Sequence, residues 1–351
     1  MSNAVDFKRS GKYVTFGEAM LRLSPPGQEA LMQSPSLSAT FGGAEANVAV
    51  SLANYGEAVS FVSAAPPNQI GDAMVRELRG FGVDTSFVRR SGDRVGIYYA
   101  ERGACMRPSK VIYDRAGSSF SETVPGDFDW DEIFRGAKWF HTTGITPAVA
   151  EGTANAALEA VGRAKELGLV VSCDLNYRKK LWKWGRSAKD VMRELAGFVD
   201  VMIANEEDCQ QCLGLELDVN VNAGSLDTSK YVELSSRVME EFPGVSCLAV
   251  SLRESESADC NNWQVLLACG GGHYVSRKYE IRDIVDRIGG GDSFGAGLIW
   301  GLSHMDTPQE AVEFAAAASA LKHTVYGDYN RVSLGDVLSL CGGDASGRVQ
   351  R

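Results

Sequence analysis

The feature that most constrains this chain is the alternation of strand-like and helix-like segments through most of its length. Residues 13–16 and 59–64 are short, β-rich runs, and 44–55 between them carries helical spacing up to Gly56. Residues 71–81 read as a helix that stops at Gly82. The order then recurs, with a strand at 138–142, a helix at 148–167 ending at Gly168, and a strand at 169–173. Strands at 199–204 and 246–252 bracket helical spacing at 205–212 and 232–242, and 291–302 and 308–324 are the last strong helices. Buried strands separated by helices predict a mostly parallel sheet covered on both faces, a three-layer α/β/α body. With 351 residues, at roughly 100–200 per domain, the chain can form one large α/β domain or two.

Two stretches, about 18–41 and 86–114, are strand-like without intervening helices. The second alternates apolar and polar residues around Gly103, as an antiparallel hairpin does. A small β-sheet projecting from the body accounts for both, and insertions at the C-terminal edge of a parallel sheet often serve as lids. The expected domain therefore runs over 12–340, with a polar tail at 341–351.

Composition narrows the class. Acidic residues exceed basic ones by 45 to 35, a formal net charge of −10, which argues against a nucleic-acid binder with its basic stripe. No apolar run reaches the ~18–20 residues of a membrane span, and the N-terminus shows no apolar signal segment. The eight cysteines are irregularly spaced, and Cys173 and Cys247 lie in apolar runs, so a reduced, cytoplasmic protein is expected. Cys209 and Cys212 have the spacing of half a zinc site, but the second half is missing.

The densest chemical signal is Asp286-Arg-Ile-Gly-Gly-Gly-Asp-Ser-Phe-Gly-Ala-Gly-Leu298. Consecutive glycines at a helix N-terminus let backbone N–H groups converge on an anion, and the helix dipole adds to them. Gly289, Gly290 and Gly291 would form this cradle, and Asp292 in the first turn could take the proton of a hydroxyl being phosphorylated. The same residues also read as a glycine-rich turn with an acidic cap. The loop is not a Walker A motif, and a Rossmann dehydrogenase is disfavoured because no Gly-x-Gly-x-x-Gly follows the first strand.

Asp-x-x-Gly-x-Gly-Asp-Ser-Phe resembles the C-terminal signature of the ribokinase-like (PfkB-type) carbohydrate kinases. Gly42-Gly43-Ala44-Glu45-Ala46-Asn47-Val48-Ala49-Val50 resembles their N-terminal Gly-Gly-x-x-x-Asn-x-Ala segment. The likeness runs over nearly the whole chain. Four further segments are similar to the 2-keto-3-deoxygluconate kinases within that family. They are Gly17-Glu18-x-Met20-x-Arg22-Leu23, Tyr113-Asp114-Arg115-x-x-Ser118, Gly144-Ile145-Thr146-Pro147, and Asp174-Leu175-Asn176-Tyr177-Arg178-x-x-Leu181-Trp182.

The resemblance implies a ribokinase-like fold with a β-sheet lid. It implies transfer of a phosphoryl group from ATP, with Mg²⁺, to the C6 hydroxyl of 2-keto-3-deoxy-D-gluconate. A sugar acid needs a fixed cation, and an arginine fork suits a carboxylate. By resemblance Arg115 and Arg178 fill that role, while Gly42, Gly43, Asn47, Tyr98, Tyr113, Ile145 and Asp292 complete the sugar site. Asp328 reads either as a further sugar ligand or as a turn residue after the last long helix.

On the nucleotide side the resemblance implies Asn205, Asp208, Ser251 and Arg253, with Gly289 and Gly291, and Glu207 or Asp208 holding Mg²⁺ through water. Residues 205–208 read equally as a capped, acid-rich helix start. Asp286 and Ile288 would hold a monovalent cation such as K⁺. Fructose or 2-keto-3-deoxygalactonate as the substrate, and a non-catalytic nucleotide- or sugar-binding regulator, are the alternatives. The open edges of a lid sheet suggest a homodimer or higher oligomer.

Overall fold

The computed structural model describes residues 5–215, 228–345 and 347. Among them the strands run, in chain order, β1 (Lys12–Phe16), β2 (Met20–Ser24), β3 (Ser38–Gly42), β4 (Val59–Ala65), β5 (Val88–Arg90), β6 (Ile97–Glu101) and β7 (Lys110–Asp114). The second half adds β8 (Ala137–Thr143), β9 (Val170–Asp174), β10 (Val201–Ala204), β11 (Cys247–Ser255), β12 (Asn261–Cys269), β13 (Gly272–Val275) and β14 (Tyr279–Ile281).

The large sheet has the order β13-β12-β11-β10-β9-β8-β1-β4-β5, with β14 also paired to β12. From β11 to β5 every pairing is parallel. Strand β12 pairs antiparallel with β11, β13 and β14. Helices cover both faces, and every residue of β4 is buried, as a strand sandwiched between two layers must be. One apolar core packs the helices Ala44–Asn54, Gly290–His304 and Pro308–Lys322 on one face. A second core joins Phe16, Phe120, Trp130 and Phe140 to the helices Glu151–Glu166 and Ala188–Ala196 on the other.

The separate small sheet has the order β3-β2-β6-β7. It is built from the two stretches that broke the βα alternation, and β6 and β7 form the expected hairpin. Met20, Tyr98 and Ala100 form its inner apolar cluster, with Tyr113 and Ile288 packed against them.

Three expectations need correction. The single helix expected over 148–167 is two, Ile145–Val149 and Glu151–Glu166, separated at Ala150 in extended conformation. Thr153 Oγ1 accepts from the Ala150 N–H and donates to the Ala150 carbonyl, which satisfies the backbone at the break. The helix expected over 205–212 is a single turn, Glu206–Asp208, that widens into a π-helical turn at Cys209–Leu213.

The cysteines are not all thiols. Cys247 and Cys269 face each other directly on β11 and β12, with Cα atoms 4.3 Å apart, and are joined as a disulfide. The other six are free. At the far end, the helix Leu334–Cys341 extends the ordered body to the start of the expected tail, of which 346 and 348–351 lie outside the described residues. No helix among the described residues is long and apolar enough to cross a membrane.

Candidate active site

A cleft of about 1530 Å³ opens between the small sheet and the C-terminal edge of the large one. At its centre Asp292 sits in the first turn of the Gly290–His304 helix. No side chain caps that turn; the Gly290 N–H donates to the Arg287 carbonyl and the Ser293 N–H to the Gly289 carbonyl, which leaves the amides of Gly291 and Asp292 to meet an anion. Gly289 precedes the helix with φ +84°, and a Cβ there would come within 2.1 Å of the Asp328 carbonyl. Only glycine meets both conditions.

Asn47, on the helix Ala44–Asn54, donates from Nδ2 to Asp292 Oδ2 at 2.6 Å and accepts the Gly43 N–H at 3.3 Å. Burial pushes the Asp292 carboxyl up to about 6, the Asn47 hydrogen bond opposes that rise, and Asp328 adds to it. This is the electrostatic setting of a general base that works near neutral pH. Asp174, at the end of β9, also lines the cleft, and burial, then Asp208 and Asp292, hold its carboxyl well above the usual range. Beneath them Glu45 is buried and accepts from the Thr143 N–H and from the Thr143 and Thr146 hydroxyls. Burial raises it to about 7.

Of the residues expected to bind the sugar, Gly43, Asn47, Tyr98, Tyr113, Ile145, Arg178 and Asp328 all line the cleft. Arg178 is exposed there, one Nη donating to the Tyr177 carbonyl at 3.0 Å. Asp328 is not a simple turn residue. Its Oδ1 pairs with Arg22 Nη1 at 2.9 Å and its Oδ2 accepts from the Tyr98 hydroxyl at 2.5 Å. Burial nonetheless keeps its carboxyl above the ordinary value.

Gly42 does not line the cleft, and a Cβ on it would meet the Asp328 carboxylate at 2.1 Å, so its bareness serves that carboxylate. Arg115 is not brought to the cleft either. Its Nε and Nη2 both donate to Glu18 Oε2, at 2.9 and 2.5 Å, behind the Tyr113 ring. Two of its five donors are committed there, and the guanidinium is buried rather than presented on the cleft wall.

Of the residues expected to bind nucleotide or metal, Asn205, Glu207, Asp208, Ser251, Arg253, Ile288, Gly289 and Gly291 line the cleft, while Gly290 does not. Asp208 is committed to the backbone. Its Oδ1 accepts the Tyr177 N–H at 2.8 Å and its Oδ2 the Asn205 N–H at 3.0 Å, which closes a capping box with Asn205. Glu206 accepts from the Tyr231 hydroxyl. Glu207 is exposed to the cleft, and among the described residues no group of three acids, histidines or cysteines is placed to cage a metal. The set fits a divalent ion that arrives on a nucleotide and meets the protein through water.

Asp286 lies outside the cleft, paired with Arg22 at 2.7 Å. Site features that sequence reasoning passed over are Asp174, Asn176, Lys180 and Arg287 on the cleft wall, and Arg22 and Lys322 beneath it. Asp174 and Asn176 belong to the segment that carries Arg178, which was the available signal.

Together the parts form an anion-binding helix start, a poised carboxylate beside it, and a polar chamber under a small sheet. That arrangement defines a phosphotransferase acting on a small hydroxyl compound. The chain belongs to the pfkB family of carbohydrate kinases, whose model it matches over residues 10–333. It is 36% identical over 338 residues to a 2-dehydro-3-deoxygalactonokinase of Haloferax volcanii, covering 96% of this chain and 98% of that one. It is 30% identical over 319 residues to a 2-dehydro-3-deoxygluconokinase of Thermoproteus tenax, covering 90% and 89%. The crystal structure of a 2-dehydro-3-deoxygluconokinase of Thermotoga maritima superposes with a TM-score of 0.90 at 44% identity, covering 95% of this chain and all of that one.

Proposed function

We propose that the protein phosphorylates a 2-keto-3-deoxy sugar acid, 2-keto-3-deoxy-D-gluconate in the first instance, at its C6 hydroxyl with ATP. The observation that carries this reading is the pairing of Asp292 with an uncapped glycine-rich helix start, in a cleft whose sugar side presents the exposed Arg178. The kinship with gluconate- and galactonate-type kinases supports the same substrate class.

Asp292 takes the hydroxyl proton as the sugar oxygen attacks the γ-phosphorus in line, and Asn47 keeps that carboxylate aimed and ionised. The first-turn amides stabilise the charge that develops on the phosphoryl oxygens. Arg178, exposed on the cleft wall, supplies the fixed cation for the substrate carboxylate, while Arg115 lies buried against Glu18. Ser251 and Arg253, on the cleft wall, would border the nucleotide, and Glu207, exposed to the cleft, would hold the metal through water. Bound magnesium neutralises charge on the nucleotide phosphates. A cytoplasmic location accords with use of ATP, and the open edges β3 and β7 of the small sheet support pairing of two copies.

The test is ADP release with ATP, Mg²⁺ and a panel of 2-keto-3-deoxygluconate, 2-keto-3-deoxygalactonate, fructose, ribose and gluconate. The highest kcat/KM is expected on a keto-deoxy acid, and the panel ranks the two epimers. Preference for fructose or ribose refutes the assignment of Arg178 to a carboxylate while leaving the Asp292 chemistry intact.

A further inference from the structure

The corner behind the glycine loop does not fit the monovalent cation that the sequence resemblance implies at Asp286 and Ile288. Both Asp286 oxygens are engaged. Oδ1 accepts the Ile288 N–H at 3.1 Å, while Oδ2 accepts the Gly327 N–H at 3.2 Å and pairs with Arg22 at 2.7 Å. Arg22 has no exposed surface, and its other Nη pairs with Asp328 at 2.9 Å.

A second cation is built in beside it. Lys322, at the end of the Pro308–Lys322 helix, is also fully buried, and its Nζ donates to the Val325 carbonyl at 3.2 Å. Its Cε lies 3.1 Å from where a Cβ on Gly289 would stand, directly beneath the start of the anion-binding turn. The corner thus holds two carboxylates, an arginine paired with both, and a lysine whose charge burial disfavours and Asp286 and Asp328 favour, so that positive charge is supplied there without a metal ion.

We propose that Arg22 and Lys322 take the place of the monovalent cation in this protein, so that it works without K⁺. Lys322 is then a positioning residue that supports the Gly289–Asp292 turn from below with a built-in positive charge. The inference rests on the kinase reading but not on the identity of the sugar, because nucleotide affinity and thermal stability report on the corner without a sugar present.

The experiment compares the enzyme in about 0.1 M potassium chloride and in tetramethylammonium chloride of equal ionic strength, so that screening is constant. Tm, ADP affinity by calorimetry, and kcat on the preferred sugar are expected to differ by less than about 1 °C, twofold and twofold, because a ligand that does not bind shifts nothing. Lys322→Met keeps the length of the side chain and removes its charge. Its kcat is expected to fall by about 10–10³-fold with sugar KM little changed, the scale seen when electrostatic support of a transition state is withdrawn. Ammonium ions, small enough to enter the emptied corner, are expected to restore part of the loss. Potassium activation of the wild-type protein beyond about fivefold, or potassium tightening of ADP to the same degree, overturns the proposal whether or not the variant folds. A folded Lys322→Met with unchanged kcat overturns it as well.

Discussion

Replacing Asn47 by leucine isolates what holds the Asp292 carboxylate, the proposed base, in its ionised form. Asn47 donates a 2.6 Å hydrogen bond to Asp292, and that bond works against the upward push of burial. A hydrogen bond to a charged group contributes about 1.5–3 kcal/mol. At 1.36 kcal/mol per pKa unit, its loss raises the carboxyl by ~1–2 units, from about 6 to ~7–8. The sign follows from the charge, since a base that must be ionised loses activity as pH falls through its pKa. At pH 7 the ionised fraction then drops from roughly nine-tenths to between a half and a tenth. The assay is kcat against pH from 5 to 9 at saturating sugar and ATP-Mg. Expected is an acid limb displaced upward by ~1–2 units, with most of the wild-type rate recovered at the alkaline end. A uniform fall in kcat with the limb unmoved refutes the argument, because Asn47 then acts on something other than the proton affinity of Asp292.

Asp292→Asn is expected to lose about 10²–10⁴-fold in kcat while sugar affinity by calorimetry stays near wild type; a loss under tenfold means that the base lies elsewhere. Tyr98→Phe removes one of the two donors to the buried Asp328 carboxylate and is expected to cost about 1–3 kcal/mol in denaturant unfolding; an unchanged midpoint shows that bond to be dispensable. Gly289→Ala combines a positive φ with a 2.1 Å approach to the Asp328 carbonyl. It is expected to lower Tm and kcat together, and a variant with wild-type ADP affinity and kcat shows that the turn tolerates a side chain.

The body was legible because its strands are buried on both faces and its helices end on glycines, so period and punctuation agree. The small sheet was legible for the opposite reason, as two stretches where the alternation lapses. What the sequence hid is pairing at a distance. Nothing local to Arg115 shows that Glu18, 97 positions away, occupies its fork. Spacing likewise does not show that Arg22 reaches Asp328 across 306 residues. The break at Ala150 was masked by an alanine-rich run of strong helix formers, and a single threonine satisfies the backbone there. The disulfide lay beyond reach because β12 went unrecognised, which left Cys269 without a strand to place it opposite Cys247. Asp208 was open to two readings, and its geometry answers to the Asn-x-x-Asp capping pattern.

The bonds from Arg22 and Tyr98 also set the mechanics of the small sheet. Its two central strands, β2 and β6, are each riveted to the body through Asp328, and β2 additionally through Asp286. Swinging the whole sheet away would strand two carboxylates in the interior, at about 3–5 kcal/mol for each buried pair broken. Such a sheet behaves less as a flap than as a fixed awning. Access for substrate then runs through the open mouth of the cleft rather than through a swing of the whole sheet. Much of the entropy that a loose cover would lose at each turnover has here been surrendered once, when the chain folded.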